Sequence, residues 1–139
     1  MDHQMTADGG QQTIVRFTVP ADPVPYLRMT QGQVKLMRIP DGRLRPDGLK
    51  IKQRIRSYLA YKDLVFKHSM GQEIDRAPRK KVFMDVMIYF STRRHGDPEN
   101  IRKGIQDAIY TQDRMVAGSV DFDLDLMNPR VEVEIREEK

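Results

Sequence analysis

Hydrophobic and polar positions alternate with two different periods along this chain, and the period changes mark its elements. Thr13 to Val19 is rich in β-branched residues, sets Val15, Phe17 and Val19 on one side and is stopped by Pro20, which reads as a strand. From Asp47 to about Lys67 the apolar residues Ile51, Ile55, Tyr58, Leu59 and those from Tyr61 to Phe66 recur among Lys50, Lys52, Arg54, Arg56 and Lys62. Gly71 lies beyond as a stop, so the segment reads as a helix with an apolar and a basic side. Lys81 to Phe90 is apolar on both faces except at Asp85, the pattern of a buried strand. The period then returns to that of a helix. Ile101, Ile105, Ala108 and Ile109 form one stripe, while Glu99, Asn100, Lys103, Gln106 and Asp107 fall opposite. Asp97 suits the cap of this helix, Pro98 its first position and Glu99 the positive end of its dipole.

The remaining segments are shorter. Met115 to Ala117 begins a strand. Val120 to Leu126 alternates strictly, with Val120, Phe122, Leu124 and Leu126 predicted to point inward. After a turn at Asn128-Pro129, Arg130 to Ile135 alternates as the last strand. Pro20 to Pro25 is a stiff extended loop, and Val34 to Ile39 fits a short strand closed by a turn at Pro40-Asp41-Gly42. Residues 70–80 are a polar connection. Residues 1–12 are polar, contain Gly9-Gly10, and read as a flexible tail ahead of a domain over 13–139.

Composition narrows the class. At 139 residues the chain supports one domain with a modest core. A formal charge of +4 and a pI near 9.4 suit a nucleic-acid partner without requiring one. The absence of cysteine excludes disulfides and thiolate metal sites. No apolar run reaches the ~18 residues of a membrane span, and no signal-peptide core follows the N-terminus. A soluble, cytoplasmic protein is expected. There is no internal repeat, Gly-rich phosphate loop or Ser-His-Asp arrangement.

Charge and candidate chemistry concentrate in a few places. Arg28, Lys35, Arg38, Arg43 and Arg45 are offset only by Asp41, as in a phosphate-contacting arm or a solvated loop. Arg93 and Arg94 precede the second helix and suit backbone phosphates; His95 beside them is a candidate general acid or base, although a lone loop histidine is more often neither. Asp85 could be a further acidic ligand, but an edge-facing or hydrogen-bonded carboxylate is the favoured reading. Asp121, Asp123 and Asp125 share an outer face over ~13 Å of strand. One ion cannot use all three, so that face reads as a solvated edge or a partner contact. The second helix is the most informative. Lys103 lies one turn from both Glu99 and Asp107, which in the plain reading makes two ordinary salt bridges on a solvated face. In the sharper reading, Asp97 and Glu99, with Asp113 on the turn beyond, hold Mg²⁺ and a phosphate beside Lys103. Spacing alone leaves both open.

The run Asp97-x-Glu99-Asn100-x-x-Lys103-x-x-x-Asp107-Ala108-Ile109, followed by Tyr110-x-x-Asp113-Arg114-x-Val116, resembles the signature of the RusA family of Holliday junction resolvases. The opening strand with its Val-Pro-x-x-Pro-Val-Pro loop and the closing Pro-Arg-Val-Glu-Val-Glu-Ile are similar to the family more loosely. The resemblance implies a compact α/β (α+β) domain with a mixed sheet of about four strands against two main helices. It implies a homodimer that cuts two strands of branched DNA, a four-way junction, symmetrically with Mg²⁺, for which Mn²⁺ can substitute. Carried residue by residue, Asp97, Glu99 and Asp113 are the metal ligands, Lys103 the catalytic lysine, and Asn100 and Asp107 supports of the site. Arg28, Lys35, Arg93 and Arg94 are the expected DNA contacts. A bacterial or phage-encoded origin is implied by the family alone. The chain departs from the family in having Glu99 where Asp is usual, a shorter segment between Asp107 and Asp113, and the acidic face at Asp121 to Asp125. Two other functions compete: a metal nuclease acting on other branched or single-stranded DNA, and a non-catalytic DNA-binding or assembly protein.

Overall fold

The last strand of the chain lies inside the sheet and organises it. In the computed structural model, which describes residues 2–5 and 11–138 and the side chains of 12–137, β6 (Arg130–Glu138) is flanked by two antiparallel neighbours. These are β2 (Gln11–Val19) on one side and β3 (Val82–Phe90) on the other. Beyond β2 lies β1 (Asp2–Met5), paired antiparallel with it. The other edge is formed by β4 (Val116–Ala117) and β5 (Val120–Leu124), both parallel to β3. A parallel return needs a crossover, and α3 (Pro98–Ile109) supplies it. With α1 (Gln31–Met37) and α2 (Pro46–Ser69), the result is a mixed α/β fold in a single unit. None of the helices among the described residues is long and apolar enough to cross a membrane.

One face of the sheet carries the core. Val15, Phe17 and Val19 of β2, Val82 to Phe90 at every second position of β3, and Val131, Val133 and Ile135 of β6 pack against Tyr61 and Val65 of α2 and Ile101, Ile105, Ala108 and Ile109 of α3. The stripe read from the α3 sequence is therefore buried. The opposite face of β3 is half-buried rather than enclosed. It carries Asp85, whose carboxylate accepts from Ser119 N–H and Oγ at 3.0 Å and pairs with Arg136 at 2.8 Å. Asp85 is thus a hydrogen-bonded carboxylate that knits β6 and the β4–β5 junction to β3.

Several expectations are corrected. Val34 to Ile39 is not a strand: α1 occupies 31–37, capped by a reciprocal pair in which Thr30 Oγ1 accepts from Gln33 N–H and Gln33 Oε1 accepts from Thr30 N–H. Lys52, read as part of a basic outer face of α2, is buried, with its ammonium on the Ile39 carbonyl and on Asp41. Arg56 also makes a two-pronged pair with Asp41, at 2.9 and 3.0 Å, so the basic arm is clamped to α2. Ile51, Leu59 and Phe66 of α2 lie at the rim of its packed face and stay exposed. Phe122, Leu124 and Leu126 do not point into the core. They are 49%, 40% and 72% exposed, because β5 is the outermost strand and only Val120 reaches the core margin. Within the segment expected to be a flexible tail, Asp2–Met5 is strand and residues 11 and 12 begin β2; the remainder, at 1 and 6–10, lies outside the described residues.

Candidate metal and phosphate site

The site begins with how α3 starts. Asp97 is its N-cap, with an extended backbone and a carboxylate that accepts from Glu99 N–H at 3.2 Å; Pro98 fills the first helical position. The cap fixes Asp97 at the positive end of the helix and sets Glu99 in the first turn. Farther along α3, Arg102 reaches back to the sheet, donating from Nη2 to Met84 O at 3.1 Å and from Nη1 to Gln106 Oε1 at 3.0 Å. Gln106 in turn donates from Nε2 to Asp113 Oδ2 at 2.9 Å. This relay brings the turn after α3 back against the helix.

Asp97, Glu99, Asn100, Arg102, Lys103, Gln106 and Asp113 consequently line one open cleft of ≈ 440 Å³. The three expected ligands, the lysine and Asn100 thus line the same cleft. Among the described residues, no three His, Asp or Glu side chains stand close enough to hold one ion together. The cleft offers the carboxylates of Asp97, Glu99 and Asp113, hard oxygen donors of the kind that suit a divalent cation such as Mg²⁺, beside the cationic side chains of Arg102 and Lys103.

Other expected residues are placed elsewhere. Asp107 does not line the cleft. It accepts from the Tyr58 hydroxyl at 3.2 Å and pairs with Lys62 at 2.7 Å, both on α2. Lys103 forms no salt bridge among the described residues; its ammonium lies 4.8 Å from the centroid of the Tyr26 ring. Asn100 lines the cleft and meets the proline-rich loop rather than a carboxylate, donating from Nδ2 to Tyr26 O at 3.2 Å. His95 is stacked on Phe90 with ring centroids 3.7 Å apart and meets Phe122 edge-on. It lines a separate hollow with Asp22, Arg94 and Gly96. Arg28, Lys35, Arg93 and Arg94 are all exposed, and neither loop arginine lines the carboxylate cleft. Asp121 and Asp123 each accept from the backbone N–H of the next residue at 2.8 Å, and Asp125 pairs with Arg130. These aspartates cap the free edge of β5 instead of forming a ligand array.

Sequence reasoning missed three residues: Tyr26, Arg102 and Gln106. The last two carry a signal, since polar side chains one turn apart on a helix commonly pair. Tyr26 carries none, as its partners lie far along the chain. No family model matches the chain, and no curated protein matches it.

Proposed function

We propose that this chain is a Mg²⁺-dependent, structure-selective endodeoxyribonuclease that resolves Holliday junctions by paired symmetric nicks. The observation that carries this reading is the shared cleft of Asp97 and Glu99, from the entry of α3, and Asp113, from the turn beyond it, with Lys103 on its wall. The RusA-like order of these residues adds to it.

Asp97, Glu99 and Asp113 are the side chains that would hold the ion. When bound, Mg²⁺ supplies a nucleophilic water and neutralises charge building on the phosphodiester oxygens. Mn²⁺ takes the same oxygen donors. Gln106 holds Asp113 at the cleft through its amide. Lys103 contributes an ammonium able to meet a phosphate oxygen of the strand being cut. Glu99 reaches one methylene farther than an aspartate would, which suits contact through a bound water. Arg28, Lys35, Arg93 and Arg94, all exposed, are the candidate contacts to DNA backbone outside the cleft. A substrate with two-fold symmetry calls for two sites related by the same axis, so the acting species is a homodimer. Action on cellular or phage DNA places it in the cytoplasm.

A second reading, a non-catalytic junction-binding protein of the same fold, is favoured by the lack of a closed three-carboxylate cluster among the described residues. One experiment separates the two. A synthetic four-way junction with Mg²⁺ is expected to yield paired nicks at symmetric positions while plain duplex stays intact. Equal cutting of flaps and single strands would assign a broader nuclease. Junction binding without cleavage, unchanged in Asp97→Asn, would assign the non-catalytic role.

A further inference from the structure

Lys103 and Asp107 lie one turn apart on the outer side of α3, where an ion pair is the ordinary outcome. The fold separates them. Asp107 is engaged from α2 by Lys62 Nζ at 2.7 Å and by the Tyr58 hydroxyl at 3.2 Å. Burial, and then the Asp107 carboxylate itself, push the Tyr58 pKa upward, so this hydroxyl remains a donor. Lys103 instead sets its ammonium over the face of Tyr26, 4.8 Å from the ring centroid.

Tyr26 is held in place through both its backbone and its ring. Its backbone N–H donates to Asn100 O at 3.3 Å, and its carbonyl accepts from Asn100 Nδ2 at 3.2 Å. Its ring meets Tyr58 edge-on, with centroids 5.7 Å apart at 82°. Gly104 lies beneath it, where a Cβ would stand in ordinary van der Waals contact, 3.4 Å from Tyr26 Cα and 3.5 Å from its backbone nitrogen. The end of the proline-rich loop is therefore clasped onto α3 at Asn100 and Gly104, on either side of Lys103 in the sequence.

We infer that Tyr26 is a positioning residue for Lys103. Its ring face holds the ammonium at the cleft, while Tyr58 and Lys62 engage Asp107, one of the two carboxylates a turn away from it. An aromatic face attracts a cation without neutralising its charge, so the ammonium keeps its attraction for an incoming anion. The anion it suits is a phosphodiester oxygen. This role rests on the nuclease reading above.

Reductive ¹³C-methylation gives every lysine a methyl resonance, and that of Lys103 is assigned by its loss in Lys103→Arg. We expect it upfield of the other lysines through the ring current of Tyr26. It should join them in Tyr26→Leu and stay shifted in Tyr26→Phe. In junction cleavage, Tyr26→Leu should lower kcat about three- to tenfold with KM unchanged, and Tyr26→Phe should recover most of the loss. An unshifted Lys103 resonance in the wild-type protein overturns this inference and leaves the nuclease reading standing. So does a Tyr26→Phe protein as slow as Tyr26→Leu. If Tyr26→Leu does not fold, the wild-type and Tyr26→Phe spectra decide. A shifted resonance in a protein that cuts no branched DNA overturns the nuclease reading, and the catalytic role of this contact with it.

Discussion

Gln106 Nε2 donates to Asp113 Oδ2 at 2.9 Å, and this single bond ties the turn beyond α3 to the helix whose entry carries Asp97 and Glu99. The Gln106 carbonyl oxygen is itself held by Arg102, so the amide cannot flip without losing both partners. Gln106→Leu should therefore loosen Asp113 while leaving the fold intact. A charge-assisted hydrogen bond of this kind contributes about 1.5 kcal/mol, and junction cleavage should fall about tenfold. The melting temperature should move by no more than a few degrees. A variant that cuts at the wild-type rate would show that Asp113 needs no such tether.

Asp97 is the N-cap of α3 and, in the proposed reading, a metal ligand, and substitution can separate the two roles. As the N-cap it accepts from Glu99 N–H, and asparagine serves that role about as well as aspartate. Asp97→Asn should melt close to the wild type yet lose junction cleavage, with binding retained or tighter because repulsion from phosphate is relieved. Asp97→Ala should lose cleavage and about 1 kcal/mol of stability as well. Asp113→Asn, which caps nothing, should lose cleavage alone. Calorimetry beside a gel-based cleavage assay reads both quantities.

Asp41 clamps the basic arm, and its carboxyl is held down at about 2 from an ordinary value of 3.8, first by Arg56 and then by Lys52. Because the folded-state value is the lower one, its contribution is fully present above about 4. It should be lost as the pH falls toward 2. The group is largely solvated, so the effect should be local. Amide exchange over α1 should quicken in Asp41→Asn relative to the wild type by the same factor at pH 5 and pH 7. That difference should shrink below pH 4, and a difference that persists unchanged at pH 2 would contradict the clamp.

How far the chain can be read depends on how local each signal is. Cap, proline and apolar stripe of α3 all sit within one stretch, so the helix, its buried side and its acidic entry are legible in the residue pattern alone. The same holds for β2 and β6, whose period-two runs are long; β3 is legible as a strand from its apolar run, but that run does not tell which of its faces is enclosed. Over 34–39 the apolar residues Val34, Leu36, Met37 and Ile39 settle neither period in so short a run, and the deciding signal is the Thr30–Gln33 capping pair. The exposure of Phe122 and Leu124 depends on β5 being an edge, which is a property of the sheet and not of the strand. Helical spacing puts Lys103 between two carboxylates, yet its partner is an aromatic ring from a distant loop, and one of those carboxylates, Asp107, is engaged by Tyr58 and Lys62 of α2. No spacing rule within α3 contains those contacts.

Gly118 offers the sharpest test of how the site's edge is built. With Ser119 it joins β4 to β5, and it has a φ of +142°, a conformation that side-chain-bearing residues rarely adopt. A Cβ at this position would fall 2.0 Å from Met84 O, on the backbone of β3. That same carbonyl accepts from Arg102, the first member of the relay that ends at Asp113. Gly118→Ala therefore meets both backbone strain and a clash that no rotamer change relieves. We expect a loss of about 2–4 kcal/mol from the two combined, read as a lower urea midpoint with an unchanged slope. Junction cleavage should fall further than the unfolded fraction accounts for, since displacing Met84 O also releases Arg102. Ser119→Ala, which removes one hydroxyl bond to Asp85 while the backbone N–H bond remains, should cost about 1 kcal/mol or less and leave cleavage alone. If Gly118→Ala matched the wild type in both stability and cleavage, the close approach of the β4–β5 junction to Met84 would be excluded.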